Sequence, residues 1–326
     1  MDIMDIKDIY MQSQSHRIIS LDRARDMLSH AYLIECADKF ITQEIALFIA
    51  KEIYCNSTNT PCCDCVSCAK VDHGNMVDLK VYPKDKKTIM VDDIVDIVSD
   101  CIERPMDSEY KVYILRDFDE ATIQAQNKIL KTLEEPPHNV IFILTCSNSG
   151  GVLPTILSRV KTINEPLLDL KVVQDYLSTN NVQNAESIAM VSGRNIHTAL
   201  KLASSGDVKN IIDLAFDVLQ NLKSSADVLR FSSKIIALKK DFVYFVDTLI
   251  SILRDVAIIN NNELINYKDR IAQLKLISHT YTVNAIDAIS SHLCEIYNKL
   301  EFNCNLVAVV DQMLLNILEV KFLCQK

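Results

Sequence analysis

Residues 139–148 read NVIFILTCSN, and a run this apolar forms a strand only where both of its faces are covered. That points to a mainly parallel sheet with helices on either side, and the neighbouring segments supply the parts. HAYLIE from His30, DLKVY ending at Tyr82 and KVYIL from Lys111 have the length and β-branched content of further strands. Between them, EIALFIAKEIYC places Ile45, Phe48, Ile49 and Ile53 at helical spacing, and MVDDIVDIVSDCI reads as a second helix. A third, ATIQAQNKILKTLEE, stops at Pro136-Pro137, where a missing N–H and ring clashes end a helix. Strands alternating with helices define an α/β part over 1–165. After Pro166 the strand signals fade. Residues 166–206 read as a small helical part closing at Ser204-Ser205-Gly206, and 207–326 as helices throughout. There, Ile286, Ile289, Leu293, Ile296 and Leu300, then Leu306, Val310, Met313 and Ile317, recur at steps of three and four, the stripe of a helix packed in a bundle.

Five of the eleven cysteines fall between Cys55 and Cys68. Cys55, Cys62, Cys65 and Cys68 give C-x6-C-x2-C-x2-C, and thiolates two residues apart on a tight turn can converge on one tetrahedral zinc. Cys63 is an alternative to Cys62, but the two-residue step to Cys65 favours Cys62. Four protein ligands leave no open position for water, so the expected zinc is structural rather than catalytic.

Composition removes several function classes. Only five glycines occur in 326 residues, and no two have the spacing of a phosphate-binding or dinucleotide fingerprint. A net charge of −9 argues against nucleic-acid binding through bulk electrostatics by this chain alone. MDIMDIKD at the start carries acids where a signal peptide carries cations, and no apolar run approaches the ~18 residues of a membrane span, so a cytoplasmic chain without membrane contact is expected.

HAYLIE, PCCDCVSC, KVYILRDFDEATIQAQNKILKTLEEPPHNVIFILT and LPTILSRV together resemble the clamp-loader subunits of bacterial DNA polymerase III, members of the AAA+ superfamily. LKTLEEPP at Leu130–Pro137 and the following ILSR are the most specific parts. KLEFNCNLVAVVDQMLLNIL is similar to the end of the family's helical collar, with Asn303 and Asn305 at its paired asparagines. The resemblance implies an AAA+-like α/β domain with a zinc module at about 55–68, a small helical lid domain and an all-α collar that holds a ring.

Superposing the family's G-x-x-x-x-G-K-T phosphate loop puts Cys36 and Ile41 at its glycines, Thr42 at its lysine and Gln43 at its magnesium-binding hydroxyl. Its Walker B acids fall on Arg116 and Asp117. A phosphate loop works through exposed backbone N–H groups, a lysine and a hydroxyl on Mg²⁺. None of these elements remains, so no ATP is expected at this chain's own site. What persists is Ser158-Arg159, matching the family's step in which an arginine enters a neighbour's ATP site and the serine positions it. Thr145 and Arg194 match sensor residues, and Asp117, Asp119 and Glu120 form an acidic stretch; structural roles are expected for all five.

The resemblance therefore implies a non-hydrolysing subunit that joins the ATPase (gamma/tau) and clamp-opening (delta) subunits, and meets the sliding clamp and primer-template DNA through the assembly. The alternatives are an active ATPase subunit of the same loader, and a zinc-containing scaffold outside replication.

Overall fold

The computed structural model describes residues 5–58, 60–84, 87–205, 208–259, 265–301 and 304–323. Those residues divide into two compact units, one of 1–179 with 195–197 and the other of 180–194 with 198–326.

The first unit is built on five parallel strands: β1 (Ala31–Glu35), β2 (Leu79–Tyr82), β3 (Lys111–Leu115), β4 (Val140–Cys146) and β5 (Lys161–Asn164), in the order β2-β3-β4-β1-β5. β4 is buried along its whole length, as its apolar run requires. It pairs β1 with Leu33 opposite Leu144, and β3 with Tyr113 opposite Phe142. The rings of Tyr113 and Phe142 stack with centroids 5.5 Å apart on one face of the sheet.

The chain-order helices of this unit are α1 (Ile6–Gln12), α2 (Gln14–Ala24), α3 (Lys39–Tyr54), α4 (Val66–Asp72), α5 (Val91–Asp100), α6 (Ile123–Glu134), α7 (Pro154–Leu157) and α8 (Leu170–Thr179). Two of the starts show a local cause. Asp5 and Asp8 form a capping box on α1, and Thr122 accepts the Ala125 N–H at 3.2 Å to begin α6. α6 ends before Pro136-Pro137, as the sequence predicts. β5 was not predicted: only Ile163 of its four residues is buried, so it carries no periodic signal and is defined by its partner β1. α1 and α2 are also absent from the sequence reading: α1 is only seven residues long, and α2 is largely polar.

The second unit is helical: α9 (Ala185–Val191), α10 (Ile196–Ser205, whose first two residues group with the first unit), α11 (Val208–Asn221), α12 (Ser225–Ile236), α13 (Phe242–Ala257), α14 (Ile271–Ser278), α15 (Val283–Glu301) and α16 (Leu306–Leu323). α13 packs against α9, α11, α14 and α15. The predicted stripes lie on α15, which packs on α13, and on α16, which packs on α12 and α15, with Ile286, Ile289, Leu293, Ile296, Val310, Met313 and Ile317 all buried. Helices of 166–206 are shared between the units, α8 in the first and α9 in the second.

Candidate functional site

Three clusters in the first unit bear on function. The four thiols of Cys55, Cys62, Cys65 and Cys68 lie within 4.8 Å of one another. Cys55 follows the last turn of α3, Cys65 caps α4, and Cys68 donates its N–H to Cys65 Sγ at 3.5 Å, so helix geometry fixes three of the four. Sγ of Cys55 stands 3.5 Å from that of Cys62 and 3.9 Å from that of Cys65. A tetrahedron of ~2.3 Å zinc–sulfur bonds has sulfur–sulfur edges of about 3.8 Å, so the donor set fits zinc in number, element and spacing. Cys63 points elsewhere: its backbone is left-handed at φ 65°, and its thiol reaches the Pro61 carbonyl at 3.7 Å. Backbone N–H groups of Asp64 and Cys65 pull the Cys62 thiol down to about 6, favouring a thiolate. Lys7 of α1 donates to the Cys62 carbonyl at 3.1 Å, and Arg23 of α2 reaches the Cys55 carbonyl. The two N-terminal helices are thereby tied to the cysteine-bearing loop.

The second cluster lies at the carboxyl ends of β1, β3 and β4, where open parallel sheets place ligands. Residues 36–38 connect β1 to α3, and 39–43 are its first turn. A helix N-terminus presents unpaired N–H groups and attracts anions, and here that role falls to Asp38. Its carboxylate accepts the N–H of Phe40 at 3.0 Å and of Ile41 at 3.4 Å, both at the start of α3. It also accepts the N–H of Ile196 at 2.5 Å and of His197 at 3.3 Å, while Asn195 donates to the Ala37 carbonyl at 3.0 Å. Asp38 is 1% exposed. Burial pushes its carboxyl up from the ordinary value, and the four N–H groups oppose that. Cys36, Ile41 and Thr42 are buried too; burial pushes the Cys36 thiol up to about 11, and the Thr42 hydroxyl is spent on the Lys39 carbonyl at 3.0 Å.

The acids at the ends of β3 and β4 have local duties. Lys39 pairs with Asp117 at 3.7 Å and with Glu120. Asp117, itself left-handed at φ 48°, donates its N–H to the Thr145 hydroxyl at 3.1 Å, and Asp119 accepts the N–H of Ser147 at 3.0 Å and of Asn148 at 3.2 Å. Gly151 follows from this packing, since a Cβ there would meet Asp119 at 2.9 Å. Arg194 lies in the second unit with φ 68°.

The third cluster is Ser158-Arg159, directly after α7. Arg159 Nη1 donates to the Thr155 carbonyl at 2.6 Å and to Ser158 Oγ at 3.1 Å, and Nη2 pairs with Glu134 Oε1 at 2.6 Å. The Ser158 hydroxyl donates to the same Thr155 carbonyl at 3.0 Å. The arginine side chain stays one-third exposed.

Asp38 and Glu134 were both missed in the sequence. Asp38 carried a readable signal, an aspartate one residue before a helix; Glu134 carried none, because its partner is 25 positions away. Asn305 accepts the Val307 N–H at 2.9 Å at the start of α16, and Asn303 lies outside the described residues. None of the described helices is long and apolar enough to cross a membrane.

A parallel sheet with this order, its helices and a thiol-rich module define an AAA+-like α/β domain followed by a mostly helical part. The family described as "DNA polymerase III, delta subunit" matches residues 11–167. The delta' subunit of DNA polymerase III from Bacillus subtilis is 26% identical over 307 residues, 90% of this chain and 92% of that one. The tau subunit from Escherichia coli is 30% identical over 180 residues, 54% of this chain but 28% of that one. A gamma-subunit-related protein of DNA polymerase III from Thermotoga maritima, of known structure, is 19% identical over 94% of this chain and 99% of that one, with a TM-score of 0.43. Residues 11–167, just under half of the chain, thus match that family's model, and the chain as a whole is similar to subunits of DNA polymerase III.

Proposed function

We propose that this chain is a non-hydrolysing subunit of the bacterial clamp loader that supplies Arg159 to the ATP site of a neighbouring ATPase subunit. The observation that carries the reading is the carboxylate of Asp38 at the N-terminus of α3. An anionic side chain bonded to the N–H groups of Phe40 and Ile41 fills the position where a phosphate would bind, and like charge repels a nucleotide from it. The absence of a lysine at Thr42 points the same way. Arg159, by contrast, is partly exposed and held in place by its own loop, as a group offered to another subunit should be.

In this reading the α/β domain of 1–165 is the fixed surface, 166–206 the lid and 207–326 the collar that enters a ring with the gamma/tau and delta subunits in the cytoplasm. Clamp and primer-template DNA are met by the assembly, which suits an acidic chain. Cys55, Cys62, Cys65 and Cys68 hold a structural zinc whose role is to close the 55–68 loop. Structural zinc sites of this kind are worth about 10–16 kcal/mol apparent at pH 7 in small peptides. Chelation should therefore unfold the loop and free Lys7 and Arg23, read as faster amide exchange in α1, α2 and α4 with the sheet protected as before.

The test is a calorimetric titration of the purified chain with ATP and Mg²⁺, joined to a pull-down against the other loader subunits. No heat at millimolar nucleotide together with entry into the ring supports the reading. Micromolar binding returns the chain to the ATPase subunits, and failure to enter the ring removes it from the loader.

A further inference from the structure

We propose that Glu134 is the positioning residue for Arg159, a strut that aims its guanidinium before a neighbour's phosphate arrives. The inference rests on the reading of Arg159 given above. A guanidinium has five N–H donors. Three are engaged within the chain, by the Thr155 carbonyl, Ser158 Oγ and Glu134 Oε1. Two remain, the number that a bidentate grip on a phosphate uses. The two contacts from Nη1 come from the arginine's own loop, only one and four residues away. Among the described residues Glu134 is the one partner of Arg159 from outside α7 and the residues directly after it, so it decides which way the planar group faces.

The place of Glu134 in its helix supports this. It is the last residue of α6, where the carbonyl end of the helix disfavours an anion. A carboxylate there adds nothing to α6, and among the described residues its one ion pair is with Arg159. Its side chain is about half exposed, so it has no part in the core. The element that ends in LEEPP therefore carries an acid at a position unfavourable for its own helix and matched to the arginine.

A flexible arginine loses rotamer freedom when it grips a phosphate, and a side chain already held loses less. In the loader reconstituted with this chain, E134A should lower the ATPase kcat by roughly three- to tenfold, the cost of immobilising one long side chain anew. KM for ATP should stay constant, because the grip tightens in the transition state. E134Q keeps an acceptor oxygen and should restore most of the loss. In the R159A background, E134A should have no further effect, since two residues acting as one unit are not additive.

Wild-type kcat in E134A, or losses that multiply in the double variant, overturn the strut while leaving the finger in place. An E134Q loss equal to that of E134A overturns it as well, because charge rather than aim would then be the agent. If R159A itself is silent, the reading beneath falls and the strut falls with it. Ring assembly of each variant, followed by size-exclusion chromatography, separates these outcomes from misfolding.

Discussion

The segment 36–43, which leads into α3, and the segment 154–160, which is α7 and the residues after it, both handle charge, and they do so in opposite ways. In the first, every strong group is answered inside the chain: Asp38 is buried and bonded to four backbone N–H groups, and the Thr42 hydroxyl and Cys36 thiol are enclosed. In the second, an arginine is braced by three bonds and keeps two N–H groups and a third of its surface for something else. On the function proposed above, the difference is what a subunit needs if it is to lose its own ligand site while keeping the part of a site it contributes elsewhere. Closing the first takes only one carboxylate at a helix start, whereas keeping the second takes a short helix, a serine and an acid on a neighbouring element.

The sharpest way to break this contrast is Arg159→Ala. Removing an arginine that acts in trans should depress the ATPase of the reconstituted loader by about 10³-fold or more, while urea unfolding of the isolated chain stays within about 1 kcal/mol of wild type, the scale of a partly exposed ion pair. Asp38→Ala should do the reverse. It strands the N–H groups of Phe40, Ile41, Ile196 and His197, and loss of a cap plus buried unpaired donors costs about 2–4 kcal/mol. The midpoint of urea unfolding should fall accordingly. A D38A chain as stable as wild type would mean that the turn is not closed from within.

How much of this could be read in the sequence depends on how local each signal is. β4 and α6 were legible because a continuous apolar run and a double proline act on their own segment. The thiol cluster was legible down to the choice of Cys62 over Cys63, since ligand spacing along a turn is itself local; the left-handed backbone of Cys63 turns it away. β5 was not, because one buried residue in four makes no pattern and its existence depends on β1. Asp38 sits between these cases. Its cap on α3 is local, but its bonds to Ile196 and His197 join residues 158 and 159 positions apart, and no spacing rule anticipates them.

The smallest expected effect separates Asp38 from another buried carboxylate. Asp78, fully buried before β2, accepts the N–H groups of Met106, Asp107 and Ser108 at 2.8, 2.7 and 2.9 Å and the Ser108 hydroxyl at 2.9 Å. Burial alone would raise its carboxyl, but those donors outweigh it and hold the group below the ordinary value. The signs for the two residues are therefore opposite. With a folded value below the unfolded one, Asp78 adds stability that is complete above the unfolded value near pH 4 and is lost as pH falls through the folded value. Asp38, with a folded value above the unfolded one, adds stability at acid pH that is lost as pH rises through its folded value. Asp78→Asn should flatten the acid limb of a stability profile by on the order of 1 kcal/mol, about one charge-assisted hydrogen bond. Asp38→Asn, which keeps one acceptor oxygen, should leave the limb below pH 4 in place and flatten the profile above it. Urea unfolding of both variants between pH 3 and 7 measures this, and identical profiles would show that the N–H groups around Asp38 outweigh its burial as they do at Asp78.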